Sequence, residues 1–225
     1  MSSLQSTLDA ILTRRAARHK DGPGVQVVLV SSDRILYEGA AGFANLEDPA
    51  EPLTAMHQAN LYSLSKFFTA CCILKLMEQG KLAPTCRVRD VVPLVTNDCT
   101  VEQLIVHTGG APNPLPLSWV HSPNEKVDEF ELLNKVLKKY PFRSSTNESY
   151  HYSNVGYWVL GRVVTKVCGD PSFAKCCQDL LFSFPRSKED EEGKNWTVSD
   201  RFVSGFPMAY GHVPRFSALA LAAVL

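Results

Sequence analysis

Ser63 and Lys66 lie three residues apart at the beginning of an apolar segment. In an α-helix, residues three apart share a face, so the serine hydroxyl and the lysine amine can meet. A helix N-terminus favours the negative charge of an attacking alkoxide or of an oxyanion. A serine needs an adjacent base, and a lysine can take up the proton where its surroundings favour the neutral amine. The spacing therefore predicts a nucleophilic serine.

A second polar group, Tyr152-Ser153-Asn154, stands where a polar loop meets another apolar segment. A phenol close to the serine can share in proton transfer. Structural interpretations remain open for each residue: Ser63 as a helix N-cap, Lys66 as a surface lysine and Tyr152 as a core aromatic residue.

The elements that must position these residues are predicted from local patterns. Residues 3–19 repeat apolar side chains at helical spacing, and the β-rich runs Val25–Val30 and Arg34–Glu38 around a polar turn predict a hairpin. Helices are predicted from Ser63 to Gly80, at 88–92, from Thr100 to His107, from Ser122 to Tyr140, at 155–168 and from Asp170 to about Phe182. The first of these helices is predicted to bury Phe67, Ala70, Cys71, Leu74 and Met77.

Three blocks in this order, the S-x-x-K at Ser63, the H-T-G-G at His107 and the Y-x-N at Tyr152, resemble the serine β-lactamase and penicillin-binding-protein superfamily. The resemblance covers roughly residues 25–183, and the class C β-lactamase-related esterases and D-peptidases are the nearest branch. It implies an α+β (mixed α/β), β-lactamase/transpeptidase-like fold. Such a fold has an antiparallel sheet flanked by helices plus an all-helical subdomain, with the sheet incomplete in this chain.

The resemblance also implies a division of the chain. Residues 1–56 would hold the N-terminal helix and the first strands of the mixed domain. Residues 57–195 would form the helical subdomain with both motifs, and residues 196–225 would begin the return to the sheet.

By the same resemblance, Ser63 is expected to be the nucleophile of an acyl-enzyme and Lys66 to assist its deprotonation. Tyr152 is expected to exchange the proton with the attacking and leaving groups. Asn154 would bind Lys66 and the carbonyl side of the substrate, and the Ser63 N–H would form half of an oxyanion hole. The implied function is a serine hydrolase whose partner is a small molecule: an ester, an amide such as a D-peptide, or a β-lactam-like compound.

Two motifs are set aside. The H-T-G at His107 imitates the third motif of the superfamily but precedes the Y-x-N, so His107 is assigned to shaping the loop after a helix. The second S-x-x-K, at Ser172, falls inside a predicted helix and is attributed to chance. Between Asn154 and Leu225 no third motif is found, so the chain is expected to be C-terminally truncated. The alternative function is therefore a catalytically silent member or fragment that acts as a binding module.

Composition narrows the functional classes. The 225 residues carry 23 basic and 23 acidic side chains without a basic block, so nucleic-acid binding is not expected. Seven cysteines without a C-x-x-C spacing predict neither a zinc site nor a disulfide framework, and no metal or other cofactor is expected. No run approaches the roughly 18 apolar residues of a membrane span. A cytoplasmic location is predicted, with Arg14, Arg15 and Arg18 leaving a mitochondrial transit peptide open.

Overall fold

The computed structural model describes residues 3–18, 24–45, 51–59, 61–114, 128–143 and 149–182. These residues form two compact units: an N-terminal unit of the described residues up to 59, and a helical unit of those from 61 to 182. Both predicted motifs belong to the helical unit. The predicted domain boundary at residue 56 stays a prediction, and the boundary at residue 195 lies outside the described residues.

The N-terminal unit contains a helix followed by a hairpin, as predicted. Helix α1 spans Ser3–Ala17, and the antiparallel strands are β1, Val25–Val30, and β2, Ile35–Ala41. The Ser31 backbone N–H donates to the Arg34 carbonyl across 2.8 Å and closes the turn between the strands. The second strand extends further than predicted because its pairing with β1 continues to Ala41.

The helical unit is organised around one buried helix, α6. In chain order its elements are a 3₁₀ turn at Tyr62–Leu64, α2 Ser65–Glu78, α3 Val88–Val91, α4 Val101–Ile105, α5 Glu129–Lys139, α6 Asn154–Cys168, α7 Phe173–Cys177 and a π-helical turn at Gln178–Phe182. Helices α2, α4 and α7 all pack on α6, which is apolar on most faces, as the sequence predicts. Among the described residues, none of the helices combines the length and the apolar character that crossing a bilayer requires.

The predicted buried face of α2 is wrong. Phe67 and Leu74, two of the residues predicted to be buried, are 65% and 56% exposed. The residues that α2 buries are Thr69, Cys72, Ile73 and Leu76. Because α2 carries apolar side chains on most of its circumference, its periodicity did not decide which face turns to the core.

Helix α4 begins with the predicted capping box. The Gln103 N–H donates to Thr100 Oγ1 at 3.3 Å, and the Thr100 N–H donates back to Gln103 Oε1 at 2.9 Å. The helix ends at Ile105, two residues before its predicted end. His107 adopts a positive φ of 60°, which a right-handed helix does not allow.

The starts of two later helices differ from the predictions. The capping box predicted at Ser122 lies outside the described residues, and α5 as described begins after Asp128, whose side chain accepts two backbone N–H bonds. Helix α7 is capped by Ser172 and not by Asp170, because the Ser172 hydroxyl accepts from the Lys175 N–H at 3.2 Å.

Candidate active site

Ser63 lies in the 3₁₀ turn that leads into α2. The turn starts at Tyr62, whose φ of 47° is left-handed, and is closed by a 2.5 Å bond from Ser65 Oγ to the Tyr62 carbonyl. The N-cap of α2 is Leu64, without a side-chain capping bond. The Ser63 hydroxyl therefore does not cap the helix, and the N-cap interpretation of this residue is wrong.

The Y-x-N segment is held at the N-terminus of α6 by Ser153. This buried side chain accepts from the Gly156 N–H at 2.8 Å and donates to the Pro112 carbonyl at 2.5 Å. The Asn154 N–H donates to Asn113 Oδ1 at 3.0 Å. A short loop after α4 thus braces Ser153 and Asn154, and the cap fixes the start of α6.

All four residues predicted for the site come together. Ser63 Oγ lies 2.9 Å from Tyr152 Oη, and either oxygen can donate. Lys66 Nζ donates to Ser63 Oγ at 3.3 Å and to Asn154 Oδ1 at 2.6 Å. Tyr152 Oη also lies 3.3 Å from Asn154 Oδ1. The cluster joins a hydroxyl, an ammonium, a phenol and an amide within hydrogen-bond reach, while their catalytic roles stay predictions.

The electrostatics of this cluster distinguish two tyrosines. Lys66 Nζ lies 5.1 Å from the ring centroid of Tyr152 and 5.9 Å from that of Tyr157. Burial alone would raise the pKa of Tyr152, but its hydrogen bonds with Lys66 and Ser63 and the Lys66 charge bring that pKa below 10.0. Burial raises the pKa of Tyr157, whose hydroxyl donates to the Ile105 carbonyl at 2.9 Å. The pKa values of the two phenols thus shift in opposite directions, and proton transfer by Tyr152 stays a prediction.

His107 is the residue of this site whose contacts the sequence did not predict. Its imidazole centroid lies 4.8 Å from that of Tyr152, and its Nδ1 accepts from the Ser153 N–H at 3.1 Å. Burial, and then the charge of Lys66, lower the pKa of His107 below 6.5. No local pattern signals this contact, because 46 residues separate His107 from Ser153 along the chain.

The second S-x-x-K motif has other partners. Ser172 caps α7, and Lys175 Nζ pairs with Asp170 at 2.8 Å and with Asp179 at 3.6 Å. Ser172 and Lys175 thus serve the start of a helix, in agreement with the attribution of this motif to chance.

Donor side chains for a metal ion do not gather in the described part of the chain. There, no group of three or more His, Cys, Asp or Glu residues could hold an ion. All seven cysteines fall within the described ranges and are free thiols.

Comparison with known proteins identifies relatives by sequence. The chain is 28% identical over 193 residues to penicillin-binding protein 4* of Bacillus subtilis, covering 83% of this chain and 41% of that protein. It is 27% identical over 172 residues to a putative D-alanyl-D-alanine carboxypeptidase of Escherichia coli K12, covering 66% of this chain and 38% of that protein. The chain thus spans about two fifths of the length of these curated relatives.

Among solved structures, the D-amino acid amidase of Ochrobactrum anthropi superposes with a TM-score of 0.68 at 19% identity, covering 81% of this chain and 50% of that one. This likeness confirms the predicted β-lactamase/transpeptidase-like fold. The family model described as beta-lactamase matches residues 8–187, which is most of the sequence. The chain belongs to the beta-lactamase family.

Proposed function

We propose that the chain carries the nucleophilic site of a serine hydrolase that forms an acyl-enzyme on Ser63 from a small amide, lactam or ester. One observation carries the proposal: Ser63 Oγ lies 2.9 Å from a phenol oxygen and 3.3 Å from an ammonium nitrogen. A serine hydroxyl becomes an effective nucleophile when a group that can take its proton lies within such a distance.

In the proposed reaction, Ser63 Oγ attacks the carbonyl carbon of the substrate and passes its proton to Tyr152. The phenolate form of Tyr152 accepts this proton, and the lowered pKa of Tyr152 increases the fraction of phenolate at a given pH. Lys66 stabilises the negative charge of the phenolate. The tetrahedral intermediate then collapses, and the leaving amine or alcohol takes the proton from Tyr152. Water repeats the sequence on the acyl-Ser63 ester and frees the serine.

Asn154 has a defined orientation in this scheme. Its Oδ1 accepts from Lys66, which can only donate, so the amide nitrogen is left to donate elsewhere. We assign that nitrogen to the carbonyl side of the substrate. The backbone N–H of Ser63 lies in the first turn, where N–H groups have no partner within the helix, and it is the proposed oxyanion donor.

The relatives support the bond type. Their names refer to penicillin binding, to D-alanyl-D-alanine cleavage and to D-amino acid amide cleavage, all of which involve an amide or lactam carbonyl. Because the chain spans about two fifths of the curated relatives, the activity and substrates of the whole protein are part of the proposal.

Covalent labelling tests the proposal. The 225-residue chain is incubated with a fluorescent penicillin and, separately, with a fluorophosphonate, and the labelled peptide is identified by mass spectrometry. We expect the label on Ser63, its loss in Ser63→Ala and its retention in Ser172→Ala, the matched change in the second S-x-x-K motif.

Two outcomes would contradict the proposal. A label that persists in Ser63→Ala would place the nucleophile elsewhere. A folded chain, with the helical circular dichroism expected of it, that neither probe labels would favour the alternative of a non-catalytic binding module.

A further inference from the structure

His107 holds the segment that presents Tyr152 at three points. The His151 N–H donates to the His107 carbonyl at 2.8 Å, and the Ser153 N–H donates to His107 Nδ1 at 3.1 Å. Between these two bonds, the ring of Tyr152 packs on the imidazole with centroids 4.8 Å apart and planes inclined by 38°. One residue therefore binds the backbone on both sides of Tyr152 and the ring of Tyr152 itself.

These contacts define the tautomer of the neutral imidazole. Because Nδ1 accepts the Ser153 N–H, a neutral His107 carries its proton on Nε2. A protonated imidazole has N–H groups on both nitrogens and cannot accept this bond. Protonation would therefore remove one of the two backbone attachments that flank Tyr152.

The groups around His107 oppose its protonation. The charged group is the Lys66 ammonium from α2, which together with burial lowers the pKa of the imidazole. The titratable groups that pack on the ring are the phenols of Tyr150 and Tyr152, from the segment before α6, and of Tyr157 from α6. Their centroids lie at 5.5, 4.8 and 5.0 Å respectively. Burial and the nearby charge of Lys66 thus lower the pKa of His107 below 6.5, which favours the neutral imidazole.

We propose that His107 is a positioning residue for acyl transfer at Ser63: its neutral Nε2–H form holds the Tyr152 phenol against the serine, and its protonation breaks the bond from the Ser153 N–H, loosens Tyr152 and slows acylation. This inference rests on the proposed function. It predicts that protonation of His107 slows acylation at acid pH, although His107 lies outside the cluster of Ser63, Lys66, Tyr152 and Asn154.

Two substitutions at His107 distinguish the contribution of its hydrogen-bond acceptor from that of its ring. Asparagine tolerates the left-handed backbone of this position, offers an oxygen near the place of Nδ1 and does not titrate. Phenylalanine keeps a ring against Tyr152 but leaves the Ser153 N–H without its acceptor. His151→Asn is the matched control, because the exposed imidazole of His151 lies 2.8 Å from Ser149 Oγ.

The first measurement is the rate of acylation by the probe as a function of pH. In the wild-type chain and in His151→Asn we expect the loss of Tyr152 phenolate to slow acylation steadily as the pH falls, and the protonation of His107 to add a steeper fall at a pH below 6.5. His107→Asn is expected to keep its neutral-pH rate within about threefold and to lose only this added fall, whereas His107→Phe slows at every pH by about tenfold or more. An unchanged steep fall in His107→Asn, or a wild-type rate in His107→Phe, would overturn the inference.

The second measurement needs no catalysis and so separates this inference from the proposed function. In the ¹⁵N-labelled chain, His107 should show an unprotonated Nδ1 and a protonated Nε2, and its titration should shift the amide signals of Tyr152 and Ser153 together. If the probes label nothing, these spectra still test whether His107 binds the backbone on both sides of Tyr152. A protonated Nδ1 at neutral pH, or amide signals that do not follow the titration of His107, would refute it whatever the labelling result.

Discussion

Lys66 Nζ donates to Asn154 Oδ1 across 2.6 Å and links the first turn of α2 to the first turn of α6, 88 residues further along the chain. The same ammonium donates to Ser63 Oγ, so the amide of Asn154 determines where the lysine stands relative to the serine. The packing of α2 on α6 sets the distance between the two helix starts. The geometry of the candidate site and the core of the helical unit are therefore coupled.

Asn154→Leu is expected to slow acylation of Ser63. The change removes the acceptor of a hydrogen bond from a charged group, which contributes about 1.5–3 kcal/mol and corresponds to roughly 10- to 150-fold in rate. Asn154→Asp keeps an oxygen acceptor for Lys66 and loses the amide donor, so comparing the two variants separates anchoring of the lysine from contact with substrate. A wild-type labelling rate in Asn154→Leu would remove Asn154 from the proposed site.

The phenol of Tyr152 is expected to titrate below pH 10.0 in the wild-type chain. In Lys66→Met the cation that favours the phenolate is gone while burial remains, so the pKa of Tyr152 should rise above its wild-type value. At neutral pH less phenolate is then present, and acylation should slow. The absorbance of tyrosinate measures the shift, with Tyr152→Phe in each background isolating this one phenol. A Tyr152 titration that is the same with and without Lys66 would contradict the electrostatic coupling.

Two glycines of α6 are expected to respond oppositely to alanine. At Gly161 an added Cβ would meet Phe173 at an ordinary 3.8 Å, so Gly161→Ala should raise the free energy of unfolding by about 0.5–1 kcal/mol. At Gly156 the Cβ would lie 3.1 Å from the Cβ of Ala111, and this crowding should cancel the gain. Urea unfolding of both variants measures the difference. Equal stabilisation by the two changes would contradict the prediction, because it would show that Ala111 moves away from the added Cβ without a cost in free energy.

The cysteines are expected to differ widely in reactivity. Cys168 is exposed, whereas Cys99 is fully buried and burial raises its pKa to about 12. Because the thiolate is the reactive form, a maleimide should modify Cys168 in the native chain and Cys99 only after unfolding. The fast phase of maleimide modification should disappear in Cys168→Ser, which assigns that phase to Cys168. Modification of Cys99 at the rate of Cys168 under native conditions would mean that this part of the core opens readily.

Local sequence signals determined much of the framework. The capping box at Thr100, the hairpin around Ser31 and the apolar run of α6 each predict hydrogen bonds or burial within a few residues of themselves, and the structure contains all three. Such predictions succeed because neighbours in a helix or turn are brought together by the backbone alone. The meeting of the S-x-x-K and Y-x-N residues was implied instead by the resemblance to the superfamily, because 88 residues separate Lys66 from Asn154 along the chain.

Tertiary packing decided what local spacing left open. The buried face of α2 runs through Ile73 and not through Leu74, since a helix with apolar side chains on most faces is oriented by its neighbours. The contact of His107 with Tyr152 depends on the chain after α4 meeting the start of α6, which no periodic pattern encodes. By itself the sequence determined which groups could react, whereas the packing of α2 and α4 on α6 determined their distances and the residue that holds Tyr152 in place.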